Sequence, residues 1–120
     1  MDSILRTIKK MIGGVDDDSF TGFDTDLIIH INAALRTLNQ LGVGTRGFNL
    51  TGPDETWTQF LGDDENMLGE VKTYVYLKVR LLFDPPSNSF TQQAIKDEIK
   101  ELEWRMNVEV DPRWEDSDES

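Results

Sequence analysis

The sequence lacks cysteine, and histidine occurs only once, at His30, among 120 residues. Without cysteine there is no disulfide framework, no thiol nucleophile and no thiolate metal ligand. One histidine cannot build a metal site by itself. The sequence also contains no Ser-His-Asp or phosphate-loop constellation. We therefore expect neither an enzymatic activity nor a cofactor.

Long apolar runs are also absent from this sequence. No segment approaches the roughly 18–20 consecutive apolar residues that a membrane helix needs. The first residues carry Asp2 and lack the apolar stretch of a secretory signal. The sequence therefore predicts a protein without a membrane partner, synthesised in a reducing cytoplasm.

Basic residues are few, with 12 Lys and Arg against 23 Asp and Glu, which gives a net charge of −11. An acidic surface of this kind repels the phosphates of nucleic acid. The balance argues against a protein that reads DNA sequence. It is compatible with a protein that lies close to DNA without sticking to it.

Apolar residues at helical spacing predict four main helices. Asp2-Ser3 can cap the first, which ends at Gly13-Gly14. The second is predicted to begin with Asp24 as its N-cap residue and to end just before Gly42. Both ends of each helix are thus marked by residues that favour a helix terminus.

The third helix is predicted to begin at 63–65, where three acidic residues favour the positive end of the helix dipole. Its residues up to Phe83 are apolar almost all round. Such a helix is the buried centre of a bundle or is covered by a second subunit. We expect it to be more apolar than one small bundle needs.

A hairpin is predicted to join the third and fourth helices. Asp84-Pro85-Pro86 ends the third, because proline lacks an amide hydrogen and clashes with the preceding turn. Ser89 and Gln92 have the spacing of a capping box for the fourth. The fourth helix then carries a narrow apolar stripe at Ile95, Ile99, Leu102 and Met106.

Two motifs resemble ligand sites, but their contexts argue against that function. Residues 42–47 read G-x-G-x-x-G, yet a helix precedes them and Phe48 to Pro53 cannot begin another, so we predict a loop. Asp16-Asp17-Asp18 suggests a calcium loop. There, Thr21 stands where glycine is required and Leu27 where a bidentate glutamate is required, so we predict a solvated turn.

The connection over residues 42–62 is long for a compact domain. It contains Phe48, Leu50, Trp57 and Phe60, which are too apolar to be left in water. A single helical turn within 53–61 would tuck Trp57 and Phe60 against the bundle. Two interpretations stay open, a satellite core or a loop that faces a partner.

The last ten residues are acidic and polar, and such a segment does not fold by itself. Arg113 and Trp114 within it have the composition of an interface anchor, the alternative being a stray aromatic in a tail. The predicted fold is all-α, a small bundle of four main helices with a long Gly-rich loop between helices two and three. We expect a helical domain over 1–110 and an extended acidic C-terminal arm over 111–120.

The hairpin residues carry a resemblance to a known family. The segments Leu82-Phe83-Asp84-Pro85-Pro86 and Glu101-Leu102-Glu103-Trp104-Arg105, together with residues 52–64, are similar to the head-to-tail connector proteins of tailed bacteriophages. These proteins are also called adaptor or head-completion proteins. The resemblance covers about residues 25–110.

The resemblance implies a structural protein of the virion neck, without enzymatic activity or cofactor. Such proteins form a ring, usually of twelve copies, beneath the portal, where they extend the DNA channel and present a platform for stopper or tail proteins. They order flexible segments on docking, and the 42–62 loop and the arm are candidates here. DNA would pass through without sequence-specific binding.

Six residues are the candidate partner-binding residues of this chain: Trp57, Phe60, Trp104, Arg105, Arg113 and Trp114. The alternative function is a small helical regulator of the host cytoplasm, similar to an anti-repressor, that binds a host or phage protein.

Overall fold

The computed structural model describes residues 3–13, 22–62, 67–83 and 85–110. These residues form five helices: α1 (Ile4–Gly13), α2 (Gly22–Gln40), α3 (Trp57–Leu61), α4 (Leu68–Phe83) and α5 (Ser89–Val110). Across the described ranges there is no strand, only one isolated bridge between Ser3 and Thr56. The predicted all-α bundle of four main helices is confirmed, and α3 is the predicted helical turn.

Helix α4 is the centre of the bundle, where it contacts α1, α2 and α5. Val71, Tyr74, Val75 and Val79 are buried, and no side chain from 70 to 81 is exposed. The protein's own helices therefore cover α4 over this range. The expectation that this helix is more apolar than one small bundle needs stays a prediction, and Leu82 near its C-terminal end is exposed.

A buried ion pair joins α1 to α2. Asp24 is not the N-cap residue of α2, because the helix begins at Gly22. Its carboxylate is buried, and Lys9 Nζ lies 3.1 Å from Asp24 Oδ1. The predicted cap of α1 is confirmed, since Arg6 N–H donates to Ser3 Oγ at 3.2 Å.

The α4–α5 hairpin forms around the two prolines, as predicted, with α4 ending at Phe83. The capping residue of α5 is Asn88 rather than Ser89. Asn88 Oδ1 accepts hydrogen bonds from the Phe90 and Thr91 N–H groups at 2.7 and 3.2 Å. Asparagine is as good an N-cap as serine, so the cap forms one residue earlier. The predicted stripe is confirmed as buried: Ile95, Ile99, Leu102 and Met106.

Three predictions concern residues outside those that the structure describes. They are the solvated turn at Asp16-Asp17-Asp18, the acidic start of the third main helix at 63–65, and the C-terminal arm with Arg113 and Trp114.

Candidate interaction surfaces

Trp57 and Phe60 lie fully buried in the core. Thr56 and Gln59 form a capping box that begins α3, with Gln59 N–H donating to Thr56 Oγ1 at 3.1 Å and Thr56 N–H to Gln59 Oε1 at 2.9 Å. Trp57 Nε1 donates to Thr7 Oγ1 of α1 at 3.1 Å. This placement fits the satellite-core interpretation. A partner contact for the two rings stays a prediction, and neither ring reaches the surface in this fold.

The connection over 41–56 is fastened to the bundle by side-chain hydrogen bonds. The Asn32 side chain bonds both backbone groups of Leu50, donating to its carbonyl at 3.0 Å and accepting from its N–H at 2.8 Å. Asn39 Nδ2 donates to the Val43 carbonyl at 2.9 Å. The expectation that this loop orders on docking stays a prediction, and part of its backbone already has hydrogen-bond partners on α2.

Phe60 fixes the Gly-rich part of the same connection. Its ring meets that of Phe48 edge to face, with centroids 5.4 Å apart. Gly44 has a φ of +84°, and a Cβ there would overlap the Phe60 ring. Thr45 N–H donates to the Phe60 carbonyl at 2.7 Å. Gly44 therefore permits the packing of Phe60, which agrees with the predicted loop and not with a dinucleotide site.

Glu55 lies near the C-terminal end of the connection over 41–56 and holds it in place by hydrogen bonds. Its carboxylate accepts hydrogen bonds from Thr51 Oγ1 and, at 3.1 Å, from Gly52 N–H. Burial raises the pKa of Glu55, but these hydrogen bonds, the Thr51 hydroxyl first, outweigh burial and hold the pKa below its ordinary value. Its carbonyl accepts from Ile4 N–H at 3.1 Å, which ties the loop to α1. The ionised carboxylate is thus a structural group.

Large apolar side chains are exposed mainly on α5 and beside it. Phe90 is 83% exposed and Trp104 60%, and Leu82, just before the prolines, is 58% exposed. Phe90 and Trp104 are 14 residues apart, so they lie on one face of α5 about 21 Å from each other. Helical spacing puts this face opposite the buried stripe. Aromatic side chains in such positions are typical of protein interfaces.

Trp104 and Arg105, two of the predicted partner-binding residues, are on the exposed side of α5. Arg105 forms an ion pair with Glu101 one turn earlier, as its i,i+4 spacing predicts. Phe90 and Leu82 were missing from the predicted set. The signal for Phe90 was present, since it falls outside the apolar stripe of its helix.

The side chain of Tyr74 links helix α4 to helix α5. Its hydroxyl donates to Glu103 Oε2 of α5 at 2.7 Å, and Lys78 Nζ lies 5.9 Å from its ring centroid. Burial, the hydrogen bond to Glu103 and the charge of Glu103 all raise the pKa of Tyr74 above its ordinary value. The phenol therefore stays neutral and acts as a bridge between helices, not as a base.

Groups that could support chemistry are not clustered in the part of the chain that the structure describes. Within it, no set of three His, Asp or Glu side chains could hold a metal ion. No helix there is long and apolar enough to cross a membrane. Among the described residues, the exposed aromatic side chains of α5 are the feature most typical of a protein-contact surface.

A comparison with known protein families identifies the family of this chain. The family model described as phage connector protein matches residues 4–113. This chain belongs to that family, and the match confirms the resemblance noted in the sequence. No curated protein and no solved structure matched the chain. Membership supports a structural role in the phage neck, with contacts to other head or tail proteins. The regulator alternative has no comparable support.

Proposed function

We propose that this protein forms a ring beneath the portal in the virion neck. The ring, of twelve copies, extends the DNA channel, completes the head and presents a platform for stopper or tail proteins. The observation that carries this proposal is the family match over residues 4–113. The exposed aromatics of α5 support it, because a ring subunit needs apolar surface that its own core does not use.

The C-terminal arm is proposed to dock on the portal. Residues 111–120 follow the last residue of α5, so the helical domain over 1–110 would hold the arm at one end of the bundle. Arg113 and Trp114 supply the anchor in an otherwise acidic segment. Trp104 and Arg105, on the exposed side of α5, are proposed to contact neighbouring proteins within the neck.

The charge of the chain suits a channel through which DNA passes. A net charge of −11 per copy repels phosphate at short range, so a ring of such copies would not grip the genome. We expect no measurable binding of the isolated protein to duplex DNA at physiological salt.

The test mixes the purified chain with the portal protein encoded in the same phage genome. Electron microscopy should show an added ring on one face of the portal. A variant ending at Val110 should lose that ring, and Trp114→Ala should weaken it strongly, while both keep the helical content of the full chain. Unchanged portal binding by both variants would show that the arm has no docking role. Absence of a ring with the full chain would reject the proposed function.

A further inference from the structure

Helix α2 has an exposed face that its own fold leaves uncovered. We call it the α2 strip, and it consists of Asp26, Ile29, Ala33, Arg36 and Gln40. Ile29 is 59% exposed, although it is a large aliphatic side chain in the middle of a 19-residue helix. Arg36 is the one base on the strip and has no ion-pair partner among the residues described. The strip therefore offers one large apolar side chain, the base Arg36 near its C-terminal end and the acid Asp26 near its N-terminal end.

Helix α5 has a second such face. We call it the α5 strip, and it consists of Phe90, Asp97, Glu101 and Trp104, all of them exposed. Two carboxylates and two aromatic rings are the groups that a guanidinium prefers, through hydrogen bonds and cation–π contact respectively. The pairing of Glu101 with Arg105 leaves this carboxylate about half exposed, with room for a second donor. The carboxylates and rings of the α5 strip thus complement the guanidinium of Arg36 on the α2 strip.

One contact inside the bundle joins the C-terminal end of α2 to the last turns of α5. Asn107 Nδ2 of α5 donates to the carbonyl of Leu41, the residue that follows α2, at 3.4 Å. Four residues earlier on α5, Glu103 accepts a hydrogen bond from Tyr74 of α4.

Arg36 and the residues of the α5 strip lie at similar distances along the chain from this contact. Arg36 is five residues before Leu41, and Glu101 and Trp104 are six and three residues before Asn107. Both helices pack on α4, and each strip lies on the face of its helix opposite the buried residues. A head-to-tail ring contact needs two different surfaces on different sides of each copy.

We propose that in the ring the α2 strip of each copy packs against the α5 strip of the next, with Arg36 between Glu101 and Trp104. The inference rests on the proposed ring and identifies its lateral contact. In the proposed ring the symmetry axis runs along the helices, so residues at the same height on neighbouring copies meet. Copies that each carry a charge of −11 repel one another, so a contact between a base and an acidic strip also lowers that repulsion.

Charge reversal tests this pairing on the cognate portal. Arg36→Glu alone, or Glu101→Arg alone, places like charges across every contact, so each should need about tenfold more protein to fill the portal. Mixing the two variants should restore assembly, because every contact between alternating copies then joins one base to one carboxylate. Lys10→Glu and Asp54→Arg are matched controls, since both residues are exposed, lie outside the strips and undergo the same changes in charge.

The outcomes separate this inference from the proposed function. If the wild type fills the portal and both reversals fill it equally well, the ring stands and this pairing is wrong. The pairing is also wrong if the mixture assembles no better than either variant alone. If the wild type forms no ring on the portal, the proposed function fails, and the lateral contact fails with it.

A chain without cysteine allows a second, independent test. Arg36→Cys and Glu101→Cys, mixed on the portal under mild oxidation, should form disulfide-linked dimers. One chain with both substitutions should give a ladder of higher multimers. Asp54→Cys replaces Glu101→Cys in the control mixture and should form no dimers with Arg36→Cys. Dimers from Glu101→Cys alone would mean that two α5 strips meet, which would overturn the proposal.

Discussion

Residues 41–61 and helix α5 place their aromatic side chains in opposite ways. The first region is mostly irregular, yet Trp57 and Phe60 within it are among the largest fully buried side chains of the protein. The second is a regular helix of 22 residues, and it exposes Phe90 and Trp104 to solvent. Trp57 and Phe60 of the short helix α3 belong to the core, while the outer face of α5 supplies aromatic surface that is open to partners.

The difference follows from where each region obtains its hydrogen bonds. The connection has few helix or sheet partners for its backbone polar groups, and side chains bond them instead: Asn32 at Leu50, Asn39 at Val43 and the Thr45 hydroxyl at Phe60. Helix α5 satisfies its own backbone and packs on the bundle along a narrow stripe. The side chains on the outer face of α5 are therefore not needed for packing in the core. Substitutions in the two regions should separate stability from assembly.

The largest expected effect is that of Trp57→Ala. The substitution removes a fully buried indole and its hydrogen bond to Thr7. It should cost about 3–5 kcal/mol of the free energy of unfolding, which lowers the melting temperature of the isolated chain by more than about 10 °C. Thermal denaturation followed by circular dichroism measures this change.

Trp104→Ala is the matched substitution on α5. It should change the free energy of unfolding by no more than about 0.5 kcal/mol, since the side chain is mostly exposed. Assembly on the portal should weaken instead. Equal loss of stability in the two variants would contradict the division between a core region and a contact region.

Gly44→Ala should have the next largest effect. The new methyl group would meet the Phe60 ring, and the residue has a φ of +84°, a conformation that alanine disfavours. The overlap and the unfavourable φ together should lower the free energy of unfolding by about 2–4 kcal/mol, measured by urea titration. Gly47→Ala is the control, because its φ is +78° but no atom lies near its Cβ, so about 1 kcal/mol is expected. Equal costs would show that Phe60 does not pack on Gly44.

Much of this fold was readable from local sequence signals. The apolar stripe of α5 and the stop at Pro85-Pro86 were predicted correctly because periodicity and proline chemistry act within one or two turns. The burial of Trp57 was one of two open interpretations. Sequence spacing could not decide between them, because its partner Thr7 lies 50 residues away.

The two wrong predictions of helix caps have a common cause. A neighbouring or distant residue interacts with the predicted cap residue or replaces it. Asp24 is a good N-cap residue in isolation, but burial beside Lys9 gives its carboxylate a tertiary role. Asn88 is the N-cap residue of α5, although Ser89 is of a residue type that is equally suited to this position. The exposure of Phe90 follows from spacing alone and was predictable. The position of Arg36 relative to Glu101 depends on how the end of α2 packs on α5, which no local pattern contains.

Asn32→Ala should loosen the loop by a smaller amount. It leaves both backbone groups of Leu50 without their partner in a partly buried position, which should cost about 1–3 kcal/mol. Limited proteolysis should then cut within 41–56 faster than in the wild type. Asn49→Ala, at an exposed position of the same loop, should change the free energy of unfolding by no more than about 0.5 kcal/mol. A wild-type cleavage rate in Asn32→Ala would mean that the loop is held by other contacts.

Tyr74→Phe should have the smallest effect at neutral pH and a distinctive effect at high pH. Loss of the hydrogen bond to Glu103 should cost about 0.5–1.5 kcal/mol at pH 8. The folded state raises the pKa of Tyr74 above the ordinary value of 10.0, so the unfolded state loses this proton first as pH rises. The stability that the hydroxyl contributes is therefore present below pH 10 and declines above it, by at most about 1.4 kcal/mol per pH unit. Urea midpoints at pH 8 and pH 11 should show the wild type losing its advantage over Tyr74→Phe, because the lysines titrate alike in both proteins. An advantage that is the same at both pH values would show that this phenol does not hold its proton more tightly in the folded state.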